Sequence, residues 1–95
     1  MKRLGVSAGV YRVNMVKIEN EVCDYFGVRP DDLKGASRRK TLVNARILFS
    51  ARARREAGAS LREIGAYLGG RAGSTIVHYI KEFRDRGGEK NMLDN

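Results

Sequence analysis

A chain of 95 residues with 42% hydrophobic residues has room for one modest core, which excludes both a two-domain protein and a wholly disordered one. Nineteen Lys and Arg against eleven Asp and Glu give a formal charge of +8 and a pI near 10.2. That field calls for a polyanionic partner or an acidic membrane surface, and a stretch apolar enough to span a bilayer is absent from the sequence.

Residues 1–11 carry two glycines and no apolar period, and read as a flexible N-terminal arm or linker with no targeting role. The first helix is expected over residues 12–26, where Met15, Ile18, Val22 and either Tyr25 or Phe26 recur at helical spacing before Gly27. Its Cys23 is the sole cysteine, so it forms no internal disulfide and reads as a buried, reduced thiol of a cytosolic protein. In "RPDDL", Pro30 suits a first turn and the two acids suit its positive end, which predicts a helical turn over 30–34.

The second long helix is expected over residues 39–57, with Ser37 as cap and Leu42, Ala45, Leu48 and Phe49 as the apolar stripe. Arg38, Arg39 and Lys40 crowd its N-terminus, the end where the helix dipole already favours anions. Phosphates suit such a place, because the free first-turn N–H groups join the cationic side chains. From Lys34 to Arg62 nine basic residues stand against Glu56 alone, whereas a merely solvated helix mixes signs in i,i+4 pairs.

"SLRE" opens the third helix as a capping box, Ser60 with Glu63, and Ile64 and Leu68 face inward around Gly65, which permits close approach. After "GGRAG" a fourth helix runs from Gly73 or Ser74 to about residue 86. Ile76, Tyr79, Ile80 and Phe83 form its apolar stripe, with Ser74, His78, Lys81 and Asp85 opposite and Thr75 flanking. Residues 87–95 read as a flexible tail, leaving residues 12–86 as one all-α domain.

The glycines do not make a nucleotide loop. Gly65 and Gly70 have Walker spacing, but Arg71 and Ala72 stand where Lys and Ser or Thr are required, and a helix precedes them in place of a strand. The lone His78 has no partners at metal-ligand spacing, and no nucleophile turn is visible, so neither a metal, a cofactor nor an enzyme is expected. Two short helices about a glycine turn instead read as a helix-turn-helix whose second helix enters the DNA major groove.

The order "YFGV", "DDL", "SRR", "AR" at Ala45-Arg46, "SLREIGAYLGGR" and "STIVH" resembles the C-terminal DNA-binding domain of DnaA, the bacterial replication initiator, over about residues 15–83. The resemblance implies a Trp-repressor-like helical bundle that binds double-stranded DNA in the cytoplasm, at the nucleoid. By the same likeness Arg38 reaches the minor groove, Arg46 contacts the major groove, Ser74 and Thr75 are the hydroxyl pair of the recognition helix, and Ser60 and Leu61 make backbone contacts. Arg39, Lys40, Arg71, Ala72, Gly73, His78 and Lys81 complete the DNA-facing set. Arg46→Ala is expected to weaken binding at least about tenfold while leaving the melting temperature almost unmoved, the other reading being a side chain that lays its stem on the core.

Ala72 and Gly73 depart from the family, which has an Asp-His pair there. Neither residue can hydrogen-bond a base through its side chain. Without each such base-edge bond about 1–3 kcal/mol of discrimination is missing, so DNA binding is expected to persist with a target other than the DnaA box. The chain carries no ATPase region, and the tail of a transposase or another mobile-element protein is an alternative origin. Binding to structured RNA, or a protein-interaction bundle whose charge serves solubility, are the other readings; few aromatics are available to stack on unpaired bases.

Overall fold

In the computed structural model residues 8–90 are described, with side chains from Asn14 onward; residues 1–7 and 91–95, most of the expected arm and tail, lie outside that range. The elements are α1 (Ala8–Phe26), α2 (Pro30–Lys34), α3 (Lys40–Glu56), α4 (Leu61–Tyr67) and α5 (Gly73–Asp85), and no strand occurs among the described residues. The fold is a small all-α bundle with a helix-turn-helix formed by α4 and α5.

The apolar periods explain the packing. Met15, Ile18, Val22 and Cys23 on α1 face Ala45, Leu48, Phe49 and Ala53 on α3, and all eight are buried. Phe26 is half-buried against this core whereas Tyr25 is 53% exposed, because four residues, close to one full turn, separate Phe26 from Val22. Leu33, Ile64, Leu68 and Ile76 are fully covered and bring α2, α4 and α5 onto the same core. At about 1.5–3 kcal/mol for each large side chain buried, this cluster is what a domain of this size depends on.

Two boundaries differ from expectation. α1 begins at Ala8, so the helix covers residues 8–11 of the expected arm. α3 begins at Lys40 with Arg39 at the N-cap position (φ −56°, ψ 144°), and no side chain caps it; Ser37 Oγ accepts from the Arg39 N–H at 3.3 Å instead. Ser37 lies too far before the first helical residue to reach the second or third amide of the helix, the donors that a cap serves. The predicted capping box of α4 is present in full: Ser60 Oγ accepts from Glu63 N at 3.1 Å and Glu63 Oε1 from Ser60 N at 2.8 Å.

Two glycines fix the helix-turn-helix in place. The N–H groups of Gly70 and Arg71 both return to Gly65 O, at 3.0 and 2.8 Å, which folds the turn back over α4. A Cβ on Gly65 would run into the Arg71 carbonyl. Gly69 has φ +80°, and a Cβ there would run into the carbonyl of Lys34 at the end of α2. The turn therefore lies backbone against backbone on α2, a closeness only glycine permits.

Candidate nucleic-acid interface

Most of the expected residues fall on three segments: residues 35–40 at the entry to α3, the turn of residues 69–72, and α5. Arg38, Arg39 and Lys40 are all exposed and, among the described residues, form no ion pair. Ser74, His78 and Lys81 are exposed along one side of α5, with Thr75 half-buried beside them, while Ile76 is buried on the other. Ala72 stands at the N-cap of α5 in extended conformation and supplies no side-chain cap; it is exposed and Gly73 is half-buried. Ser60 and Leu61 are half-buried, and Ser60 spends its hydroxyl on the α4 cap.

Arg46 does not stand with them. A direct major-groove contact is expected of it from sequence, whereas in the DNA-free structure the residue is 1% exposed and points inward from α3. Its Nε donates to Leu33 O and its Nη1 to Ser37 O, both at 2.7 Å, and its Nη2 to Asp32 O and Gly35 O, both at 3.0 Å. α2 has only five residues, so nearly all of its carbonyls lack an intrahelical partner. The guanidinium fork answers two of them, Asp32 and Leu33, and two more in the loop beyond, Gly35 and Ser37, which explains why a charge sits midway along α3 between apolar neighbours. Burial first, and then the Arg71 guanidinium, press the pKa of Arg46 downward.

Arg71 is the second cross-link. It donates to Leu68 O, and its Nη2 donates to Gly35 O at 2.6 Å, the carbonyl that Arg46 also uses. Two guanidinium groups thus converge on one loop carbonyl, and neither is ion-paired among the described residues. From the other side, buried Glu19 receives the Tyr67 hydroxyl at 2.8 Å and lies 3.1 Å from Lys34 Nζ, which also sits 4.7 Å above the Tyr67 ring. The stacked Phe49–Tyr67 pair, 5.4 Å between centroids, joins that anchor to the core. The nearby Cys23 thiol is pushed up to about 11, chiefly by burial and then by Glu19, so it is an inert core group.

Sequence reasoning missed Arg71 as a tie between turn and loop, and it missed Lys34 as a partner of Glu19. The signal for the first was present in part, since Gly65, Gly69 and Gly70 announce a turn pressed against something. The exposed Arg62 on α4, unpaired among the described residues, is a further cation at this end of the helix-turn-helix that the basic run already contained.

Among the described residues no helix is long and apolar enough to cross a membrane, and no group of His, Cys, Asp and Glu could hold a metal ion. No solved structure gives a significant match. Among curated proteins, the chromosomal replication initiator protein DnaA of Cutibacterium acnes is 38% identical over 79 residues, covering 83% of this chain and 16% of that protein. The DnaA proteins of Chlorobaculum tepidum (33% over 69 residues) and Thermus thermophilus (36% over 70) cover 73% and 74% of the chain, and 14% and 16% of their own lengths. The chain thus spans about a sixth of the length of these relatives. The family described as bacterial dnaA protein helix-turn-helix matches residues 15–82, and the chain belongs to that family.

Proposed function

We propose that this domain binds double-stranded DNA, laying the exposed side of α5 in the major groove and the loop of Arg38, Arg39 and Lys40 on the flanking backbone or minor groove. The observation that carries this reading is the loop itself: three exposed cations without carboxylate partners among the described residues, held beside the helix-turn-helix through the Gly35 carbonyl. Phosphate contacts from such a loop set position and affinity, whereas Ser74, Thr75 and Lys81 on α5 supply the groups that meet base edges and phosphates. The binding is sequence-selective with a target other than the DnaA box, because Ala72 and Gly73 offer no side-chain donor or acceptor at the head of the recognition helix. A nucleoid location follows from that partner, and the domain serves replication or, within a longer product, a mobile element.

Fluorescence anisotropy on a labelled DnaA-box duplex and a scrambled duplex, at low and moderate salt, tests both parts. Near-equal affinity for the two, falling with a log–log salt slope of roughly −5 for about six phosphates, is the expected result. Clear preference for the box would overturn the altered target. Failure to bind either duplex, or stronger competition by duplex RNA of matched sequence, would overturn the DNA reading.

A further inference from the structure

Arg46 and Arg71 reach one carbonyl from different elements, α3 and the helix-turn-helix turn, and Gly35 is the residue where the basic loop leaves α2. The geometry points to a positioning role: we propose that these two arginines act on DNA indirectly, by locking the basic loop to the helix-turn-helix so that the loop cations and α5 meet the duplex in one fixed spacing. The inference rests on the DNA-binding reading above and names the residues that organise that site.

Three observations support it. The cross-links go to backbone carbonyls (Asp32, Leu33, Gly35, Ser37 and Leu68), so they set the path of the main chain without regard to which side chains the loop bears. The donors of Arg46 are consumed within the protein, and its burial leaves none to reach a base. The Lys34–Gly69 backbone contact holds the same two segments together just beside the arginines, so loop and turn share one register. A loop fixed before it meets DNA does not lose its conformational entropy on binding.

A lysine keeps the charge and loses the fork, so Arg71→Lys, and Arg46→Lys as its companion, separate position from charge. Trypsin reads the loop directly, since Arg38, Arg39 and Lys40 are themselves cleavage sites. In the DNA-free Arg71→Lys protein, cleavage at residues 38–40 should rise at least about tenfold while cleavage at Arg84 and Arg86 stays near the wild-type rate, a local opening rather than global unfolding. Affinity for the scrambled duplex should fall at least about tenfold, as expected when a whole segment no longer meets the duplex in register. The decisive readout is a double-mutant cycle: placed on Arg38→Gln/Arg39→Gln/Lys40→Gln, Arg71→Lys should cost less than about twofold more, because the loop it positions no longer contributes. Unchanged loop cleavage, or the full tenfold loss persisting in the neutralised-loop background, overturns the inference and makes Arg71 a direct contact. If the wild-type chain binds no duplex the DNA reading itself has failed and takes this role with it, whereas wild-type binding together with either of those outcomes condemns the positioning role alone. Should Arg46→Lys fail to fold, Arg71→Lys decides the question by itself, being only half-buried.

Discussion

The two ends of α3 treat their arginines in opposite ways. At the C-terminal end, Arg52 bonds Glu56 at 2.8 Å and Glu21 at 2.7 Å, and Arg55 bonds Glu56 at 3.0 Å and Glu89 at 2.9 Å. The charges of Arg52 and Arg55 are neutralised locally, whereas Arg54 donates to the Ala59 carbonyl at 2.9 Å, and the ion-pair network ties α1, α3 and the segment after α5 together. At the N-terminal end, Arg38, Arg39 and Lys40 have no acid to pair with among the described residues, and Arg46 and Arg71 are satisfied by carbonyls, which bear partial charge but do not cancel a cation. Net charge alone would not distinguish the two ends. Local pairing does: Arg52 and Arg55 each meet two carboxylates, whereas Arg38, Arg39 and Lys40 stand together with none among the described residues, which leaves more charge for an approaching polyanion to neutralise.

The largest effect expected from breaking this contrast is at Arg46. Arg46→Ala takes a donor from the Leu33 and Ser37 carbonyls and one of two donors from those of Asp32 and Gly35, a loss of about 3 kcal/mol, and thermal unfolding should drop by about 10 °C. This reverses the expectation drawn from sequence, in which binding fell and the melting temperature stayed. Next comes Gly65→Ala. Alanine is the better helix former, by about 1 kcal/mol, but its methyl meets the Arg71 carbonyl, so a net loss of about 1–3 kcal/mol is expected in denaturant melts.

Ala72→Asp should act in the other direction. The uncapped α5 gains an acceptor at its N-cap, worth about 1 kcal/mol, and the melting temperature should rise by roughly 4–8 °C. The smallest effect is at the paired end. Hydrogen bonds from Arg52 hold the Glu56 carboxyl down at about 2 against an ordinary value of 4.5. A carboxyl depressed on folding stabilises above its unfolded pKa and ceases to do so as pH falls through its folded one, so this contribution disappears between about 4.5 and about 2. The side chain is 38% exposed and screened, so Glu56→Gln should cost less than about 1 kcal/mol at neutral pH, with the gap from wild type closing in acid.

These differences follow what a sequence can carry. Helical periods in Met15–Ile18–Val22 and Ile64–Leu68, and the Ser60–Glu63 box, are local patterns within one or two turns, and they reappear in the fold with their residues buried or bonded as expected. Arg46 serves acceptors 9 to 14 positions away, and Arg71 serves one 36 positions away, separations that leave no period to read. An arginine among apolar residues looks the same from sequence whether it faces a groove or a set of carbonyls. The start of α1 is hidden for a different reason: Gly9 reads as a breaker, yet its cost of about 1 kcal/mol is small enough for a long helix to continue through it.

The most direct test of the contrast between the two ends is the salt dependence of duplex affinity for two charge-neutralising variants, Arg38→Gln/Arg39→Gln/Lys40→Gln and Arg52→Gln/Arg55→Gln. Each phosphate contact removed should flatten the log–log slope by about 0.9, so the loop variant should lose roughly 2–3 and the paired-end variant close to nothing. Equal flattening per charge removed would mean that net charge alone governs binding, and that the unpaired loop has no special part in it.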